Sequence, residues 1–308
     1  MGAPVDDSGA GIMSAGERWL VTGANGRLGR ELVRLLTARD DVETTAADRR
    51  TLDLTDPATS FDLLDAHDIV VNAAAWTDVD GAEKDEPSAT EINSHAVRRL
   101  ARACARRSVR LIHVSTGYVF SGRARIPYRE DAPAEPINAY GRSKLAGEQA
   151  LLTELPELGH VVRTSWLYGD DGPDFLVSVL GRGRRGEPVN VVTDQRGQPT
   201  SIPALARQII ALGRAGRRGT AAPGIYHGTS AGHASWYELA RAAFALAGAD
   251  PDLVLPVTTA EYDPSAPRPE YTVLAHTRWA AAGLPDQPHW HDQLVGFLTR
   301  RATAPPAV

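Results

Sequence analysis

The chain has 308 residues, enough for one large or two modest domains with a full-sized core. Charged residues make up 23% and hydrophobic residues 43%, as in soluble globular proteins, and a formal net charge of −5 gives no electrostatic case for nucleic acid or an anionic membrane. The single Cys104 excludes an internal disulfide framework and a cysteine-based zinc site, and no apolar run is long enough for a membrane span.

Residues 1–16 lack the basic start and apolar stretch of a signal peptide and read as a flexible extension, with the cytoplasm as the default compartment. Ordered sequence begins with the short apolar strand Trp19–Thr22. A glycine turn follows, then a helix over 28–38 that places Leu28, Leu32, Leu35 and Leu36 on one face. "VETTAAD" is the second strand. "IVV" at 69–71 is the third, apolar on both faces as a strand inside a parallel sheet requires. "INSHAVRRLARACARRS" reads as a helix that packs Cys104 as an inert thiol, "VRLIHVST" as a strand, and the stretch around Tyr140 as another helix. The alternation predicts an α/β fold, a doubly wound parallel sheet of the Rossmann type, over 17–170. After residue 170 glycine, proline and charge increase and the alternation weakens. Helices over 202–216 and 235–249, with two short ones in the tail, predict a smaller substrate-binding lobe over 171–308, some of whose segments return to the first domain. The arginine clusters at 181–185 and 213–219 read as solvated surface.

Two patterns carry chemistry. "TGANGRLG" sets Gly23, Gly26 and Gly29 three residues apart between a strand and a helix, where backbone can approach a pyrophosphate and the helix N-terminus offers free N–H groups. Asn25, Arg27 and Leu28 share that turn. Asp48 ends the second strand about 20 residues later, where an acid binds the adenosine ribose, while Arg27, Arg49 and Arg50 suit a 2′-phosphate instead. The sequence therefore leaves NADPH and NADH both open. Leu52, Asp53 and Leu54 are placed to line the adenine, though Asp53 equally suits the cap of a helix starting near Pro57. The second pattern is Tyr140 and Lys144, four residues apart on one helix face. A nearby ammonium lowers a tyrosine pKa from about 10 and makes it a usable proton donor.

Together, "TGANGRLG", "VNAAAWTDVDGAE", "STGYVFSG" and "YGRSKLAGE" resemble the extended short-chain dehydrogenases/reductases, more narrowly the dTDP-4-dehydrorhamnose reductase group. "RTSWLYG", "DQRGQPTS" and "RPEYTVL" follow in that group's order. The resemblance implies an NAD(P)H-dependent reductase of the C4 ketone of a nucleotide-linked 4-keto-6-deoxyhexose, with a dTDP-sugar as partner. It implies Thr116, Tyr140 and Lys144 as the catalytic triad and Asn72, Ala73, Ala74 and Ala75 beside the cofactor. It places Thr77, Val79, Gly117, Tyr118, Trp166, Gln198, Thr200 and Arg268 about the substrate. A homodimer stays open, and no metal is expected, since the C-terminal "QPHWHDQLVGFL" offers only Asp292 as an acid. A sugar-nucleotide epimerase and a non-catalytic NADP-binding regulatory subunit are the alternatives. A dehydratase is disfavoured, because Gly117 and Tyr118 stand where that reaction resembles an Asp–Glu pair. The reductase group usually reads "STDYVF", so Gly117 removes a carboxylate and suggests a modified deoxysugar substrate.

Overall fold

The computed structural model describes residues 16–169, 172 and 174–303; the expected N-terminal extension, apart from Gly16, lies outside them. Six strands, β1 (Glu17–Thr22), β2 (Val42–Ala47), β3 (Ile69–Asn72), β4 (Arg110–Thr116), β5 (Gly159–Thr164) and β6 (Gly224–His227), form one parallel sheet in the order β6-β5-β4-β3-β1-β2. Alternate residues of each strand serve opposite faces. Trp19, Val21, Ile69, Val71, Ile112 and Val162 point to one, where they meet helices α1 (Arg27–Thr37) and Ile202–Arg217. Leu20, Val70, Leu111 and Val161 point to the other, against Ala96–Arg107 and the end of Ala139–Glu154. Cys104 is fully buried there, its thiol pushed up to about 12, so it carries no thiolate chemistry. The chain order reverses between β1 and β3, the switch point at which open α/β sheets bind ligands outside the strand carboxyl ends.

The helices that matter for the site are, after α1, α2 (Ala96–Arg107), α3 (Ala139–Glu154), α4 (Phe175–Arg184), α5 (Ile202–Arg217), α6 (Trp236–Leu246) and α7 (Trp290–Thr303). Leu180, Leu239, Ala243 and Phe297 pack α4, α6 and α7 into a second core. A parallel pairing of Val189–Val192 with Val254–Val257 borders it. Helix α5 and strand β6 lie beyond residue 170 in sequence but complete the sheet layer. The helix expected near Pro57 does not form: Asp53 instead accepts from the Thr55 amide and hydroxyl at 2.9 and 2.6 Å, closing a turn. The stretch 266–285 holds one short helix, Thr277–Ala281, not two. Among the described residues no helix is long and apolar enough to cross a membrane.

Candidate active site

Two cavities meet above the switch point. One, of about 290 Å³, is lined by Gly23, Gly26, Asp48, Arg49, Asp53 and Leu54; the other, of about 560 Å³, by Gly26, Arg27, Thr116, Tyr140, Lys144 and Trp166. Gly26, Ala73 and Ala75 line both, so a single groove runs from the end of β2 across the tip of α1 to the end of β4. Gly23 turns with φ +66°, and a Cβ there would sit 2.6 Å from the Ala74 amide nitrogen. Gly26 is the N-cap of α1 and caps it with no side chain, which leaves the first-turn N–H groups and the positive end of the helix facing the groove. A long, diphosphate-bearing dinucleotide fits this donor set, with phosphates over Gly26–Leu28, one nucleoside toward Asp48 and Arg49, and the other toward Tyr140. The Asp48 carboxylate accepts from the Arg50 and Thr51 amides at 2.9 and 3.0 Å and from Asn25 at 3.1 Å. Those bonds, that of the Thr51 amide first, hold it below the usual carboxylate range.

Asn72 lies beneath this groove, not on its floor. It is 1% exposed, and its Oδ1 accepts from the Thr22 hydroxyl at 2.7 Å and the Ala74 amide at 3.2 Å. Its Nδ2 donates to His113 Nδ1 at 3.1 Å. His113 Nε2 in turn meets Lys144 Nζ at 3.1 Å, and Lys144 donates to the Val114 carbonyl at 2.7 Å.

Thr116, Tyr140 and Lys144, the expected triad, line one cavity together. Thr116 ends β4 and caps the turn after it, its hydroxyl accepting from the Tyr118 amide at 3.1 Å. Helix α3 starts at Ala139 because Asn138 caps it through the Gly141 amide at 2.7 Å; the same side chain donates to the Pro267 carbonyl at 2.9 Å. A Cβ on Gly141 would fall 2.2 Å from the Tyr118 carbonyl, so a residue without one lets α3 close on the Thr116 turn. The electrostatics differ from the expectation. Burial pushes the Tyr140 phenol up to about 12, only partly opposed by its hydrogen bond with Thr116. Burial lowers Lys144 to about 7, partly opposed by Glu148. Desolvation disfavours both charged forms and dominates the phenol in this structure.

Beneath the triad, Ser115 donates to Glu148 at 2.5 Å and Arg163 of β5 pairs with the same carboxylate at 2.6 Å, both ion-pair partners being 2% exposed or less. Asn93 pins the segment bearing Trp76 and Thr77: its Oδ1 accepts from the Trp76 amide at 2.9 Å and its Nδ2 donates to Ser143 at 2.9 Å. It sits in the π-helical turn Glu91–His95, an irregularity frequent at functional sites. Sequence reading passed over Asn93, His113 and Glu148, since each works through partners distant in sequence. The one available signal was three polar residues on otherwise buried elements.

A third cavity, of about 740 Å³, lies between the sheet and the second core, lined among others by Val79, Tyr118, Arg182, Gln195, Trp236 and Arg268. Arg268 pairs with Asp80 at 2.7 Å. Trp166 stacks on Trp236 with ring centroids 3.7 Å apart, so one aromatic pair separates this cavity from the triad's. Thr77 lines the triad's cavity. Two expected substrate contacts are elsewhere. Gln198 and Thr200 are 2% and 0% exposed, and their side chains bind Ser230, Thr229, Leu274 and the Gln198 carbonyl. They tie the strand-end loop to the tail; Gln195, three residues earlier, faces the cavity. Gly117 is buried, and a Cβ on it would meet Thr272 and Leu274 at 3.4 to 3.7 Å. It lines none of the three cavities. Arg182, which the sequence placed on a solvated surface, belongs to the third cavity.

Comparison with known proteins agrees with this architecture. The chain is 49% identical to a dTDP-4-keto-6-deoxy-D-glucose reductase of Streptomyces niveus, over 91% of this chain and 96% of that one. It is 46% identical to a dTDP-4-dehydrorhamnose reductase of Streptomyces griseus, over 90% and 92%. A crystal structure of dTDP-4-dehydrorhamnose reductase from Bacillus anthracis in complex with NADP superposes with TM-score 0.87 at 34% identity, covering 92% of this chain and 99% of that one. The family described as RmlD substrate binding domain matches residues 17–303, and the chain belongs to that family.

Proposed function

We propose that the protein reduces the C4 ketone of a dTDP-linked 4-keto-6-deoxyhexose with NADPH or NADH. The observation that carries this reading is the convergence of Thr116, Tyr140 and Lys144 at one end of a groove whose middle is an uncapped helix N-terminus. The names of the two Streptomyces relatives support the substrate class, and the NADP complex of a structural neighbour supports the cofactor. The nicotinamide, when bound, supplies the hydride that reaches the carbonyl carbon. Gly23, Gly26 and the first turn of α1 hold the diphosphate, and Asp48 and Arg49 the adenosine end. Tyr140 gives its phenolic proton to the carbonyl oxygen as charge develops there, and Thr116 donates a hydrogen bond to the same oxygen. The sugar ring enters between Thr77 and Trp166, and the nucleotide occupies the 740 Å³ cavity, with Arg182 and Arg268 as its cations.

The dehydratase reading lacks acids, since Gly117 and Tyr118 follow Thr116. An epimerase would return its hydride and leave NADPH absorbance unchanged, and a regulatory subunit would turn nothing over. The test is NADPH oxidation with a dTDP-4-keto-6-deoxyhexose by wild type and Tyr140→Phe. Turnover in the wild type and its loss by about 10²-fold or more in the variant, with cofactor affinity kept, is expected. Near-wild-type turnover in the variant would sink the assignment.

A further inference from the structure

The hydrogen bonds beneath the groove have a direction, and it ends at Lys144. The Ala74 amide can only donate, so the Asn72 atom it meets at 3.2 Å is the oxygen. The Asn72 amide nitrogen therefore faces His113 Nδ1, at 3.1 Å, and must donate to it. With Nδ1 an acceptor, a neutral imidazole carries its proton on Nε2. That N–H points at Lys144 Nζ, 3.1 Å away. A neutral amine has a lone pair to receive it and an N–H left for the Val114 carbonyl at 2.7 Å. An ammonium has no lone pair, and would set N–H against N–H at this distance.

We propose that His113 is a positioning residue that lowers the proton affinity of Lys144, through a one-way hydrogen-bond chain from Ala74 N–H through Asn72 and His113 to Nζ. The proposal rests on the functional reading only in assigning Lys144 to the reaction; the chain itself stands on geometry. The other ionisable groups around Nζ fit it. Glu148, one turn along α3, is matched by Arg163 of β5 at 2.6 Å. Tyr140, on the same helix, is an un-ionised phenol. Glu83 and Glu86, from the short helices packed outside α3, are bound to the Ala139 amide and to Arg142. Glu148 alone favours an ammonium, and it only partly opposes the effect of burial. Burial of His113 keeps its imidazole uncharged, well below its ordinary range. The consequence is a lysine that exchanges its proton readily near neutrality and holds it more firmly once something new, such as a hydroxyl-bearing ligand or a developing phenolate, outweighs the histidine N–H.

The sequence makes this measurable, because Lys84 and Lys144 are its only lysines. Protein labelled with ¹³Cε-lysine, in a Lys84→Arg background and without added ligand, gives one lysine signal whose shift against pH reports Lys144 alone. A wild-type midpoint near 7 is expected. His113→Leu removes the opposing N–H and should raise the midpoint by about one unit or more, a tenfold change in proton affinity. Asn72→Leu keeps the histidine but frees its tautomer, and should move the midpoint the same way. His113→Gln, whose amide can accept from Asn72 and donate to Nζ, should leave it within about half a unit. If burial alone set the value, leucine at either position would leave the midpoint unchanged or lower it, and that result overturns the proposal. A wild-type midpoint at or above 9 overturns it as well. None of these outcomes depends on turnover, so failure here is distinct from failure of the proposed reaction.

Discussion

Burial opposes the charged form of both α3 side chains that the proposed reaction uses. Tyr140 is a phenol with its proton firmly held, and Lys144 an amine depressed to about 7. In the proposed reaction the developing oxyanion has the Thr116 and Tyr140 hydroxyls as donors. At the other end of the groove the decisive residue is Arg49. The Asp48 carboxylate already accepts from two amides and from Asn25, which leaves it less able to bind a ribose hydroxyl or to repel a phosphate. Arg49 lines the same cavity. Arg49→Ala should therefore raise KM for NADPH several-fold more than KM for NADH, with kcat little changed. Equal effects on both cofactors, measured by initial rates at saturating sugar substrate, would remove Arg49 from the 2′-phosphate.

At the scale of elements, α3 is the part most tightly specified. Its N-terminus is fixed three ways: by the Asn138 cap, by Glu83 accepting from the Ala139 amide at 2.6 Å, and by the close approach at Gly141. Gly141→Ala places a methyl 2.2 Å from the Tyr118 carbonyl, so either α3 or the Thr116 turn must move. A shift of about 1 Å between Tyr140 and Thr116 is enough to cost roughly 10²-fold in kcat. The variant should lose turnover at that level while remaining folded by circular dichroism; unchanged kcat would mean the contact relaxes harmlessly. The Tyr140–Lys144 spacing and the glycine turn were legible in the sequence because both are local, i,i+3 and i,i+4 patterns. What α3 rests on was not. Gln198 and Thr200 fall in a motif that suggests ligand contact, yet topology turns them inward, Gln198 to Ser230 and Leu274, 32 and 76 residues away. The lowered tyrosine pKa expected from spacing alone failed because i,i+4 places two groups on one face and says nothing about how dry that face is.

Across the whole molecule, the sheet carries an acid-sensitive line of histidines. His113, His160 and His227 lie on the adjacent strands β4, β5 and β6, each fully buried. Burial first, with Arg110 and Arg163 adding to it, depresses His160 to about 4 and His227 to about 3; His113 is also well below its ordinary range. The sign follows from linkage. Between the unfolded value near 6.5 and the folded values, the unfolded chain binds more protons than the folded one. Stability is therefore greatest above about pH 6.5 and falls as pH drops toward 4, before most carboxylates titrate. Urea midpoints measured from pH 7.5 to 4.5 should decline steadily. His160→Phe removes one of the three titrations; it packs beside Tyr226, whose ring centroid is 5.9 Å away, and so can be filled by an aromatic ring. That variant should show a shallower fall between pH 6.5 and 4.5 than the wild type. A parallel decline in the two proteins would exclude His160 as a source of the acid sensitivity.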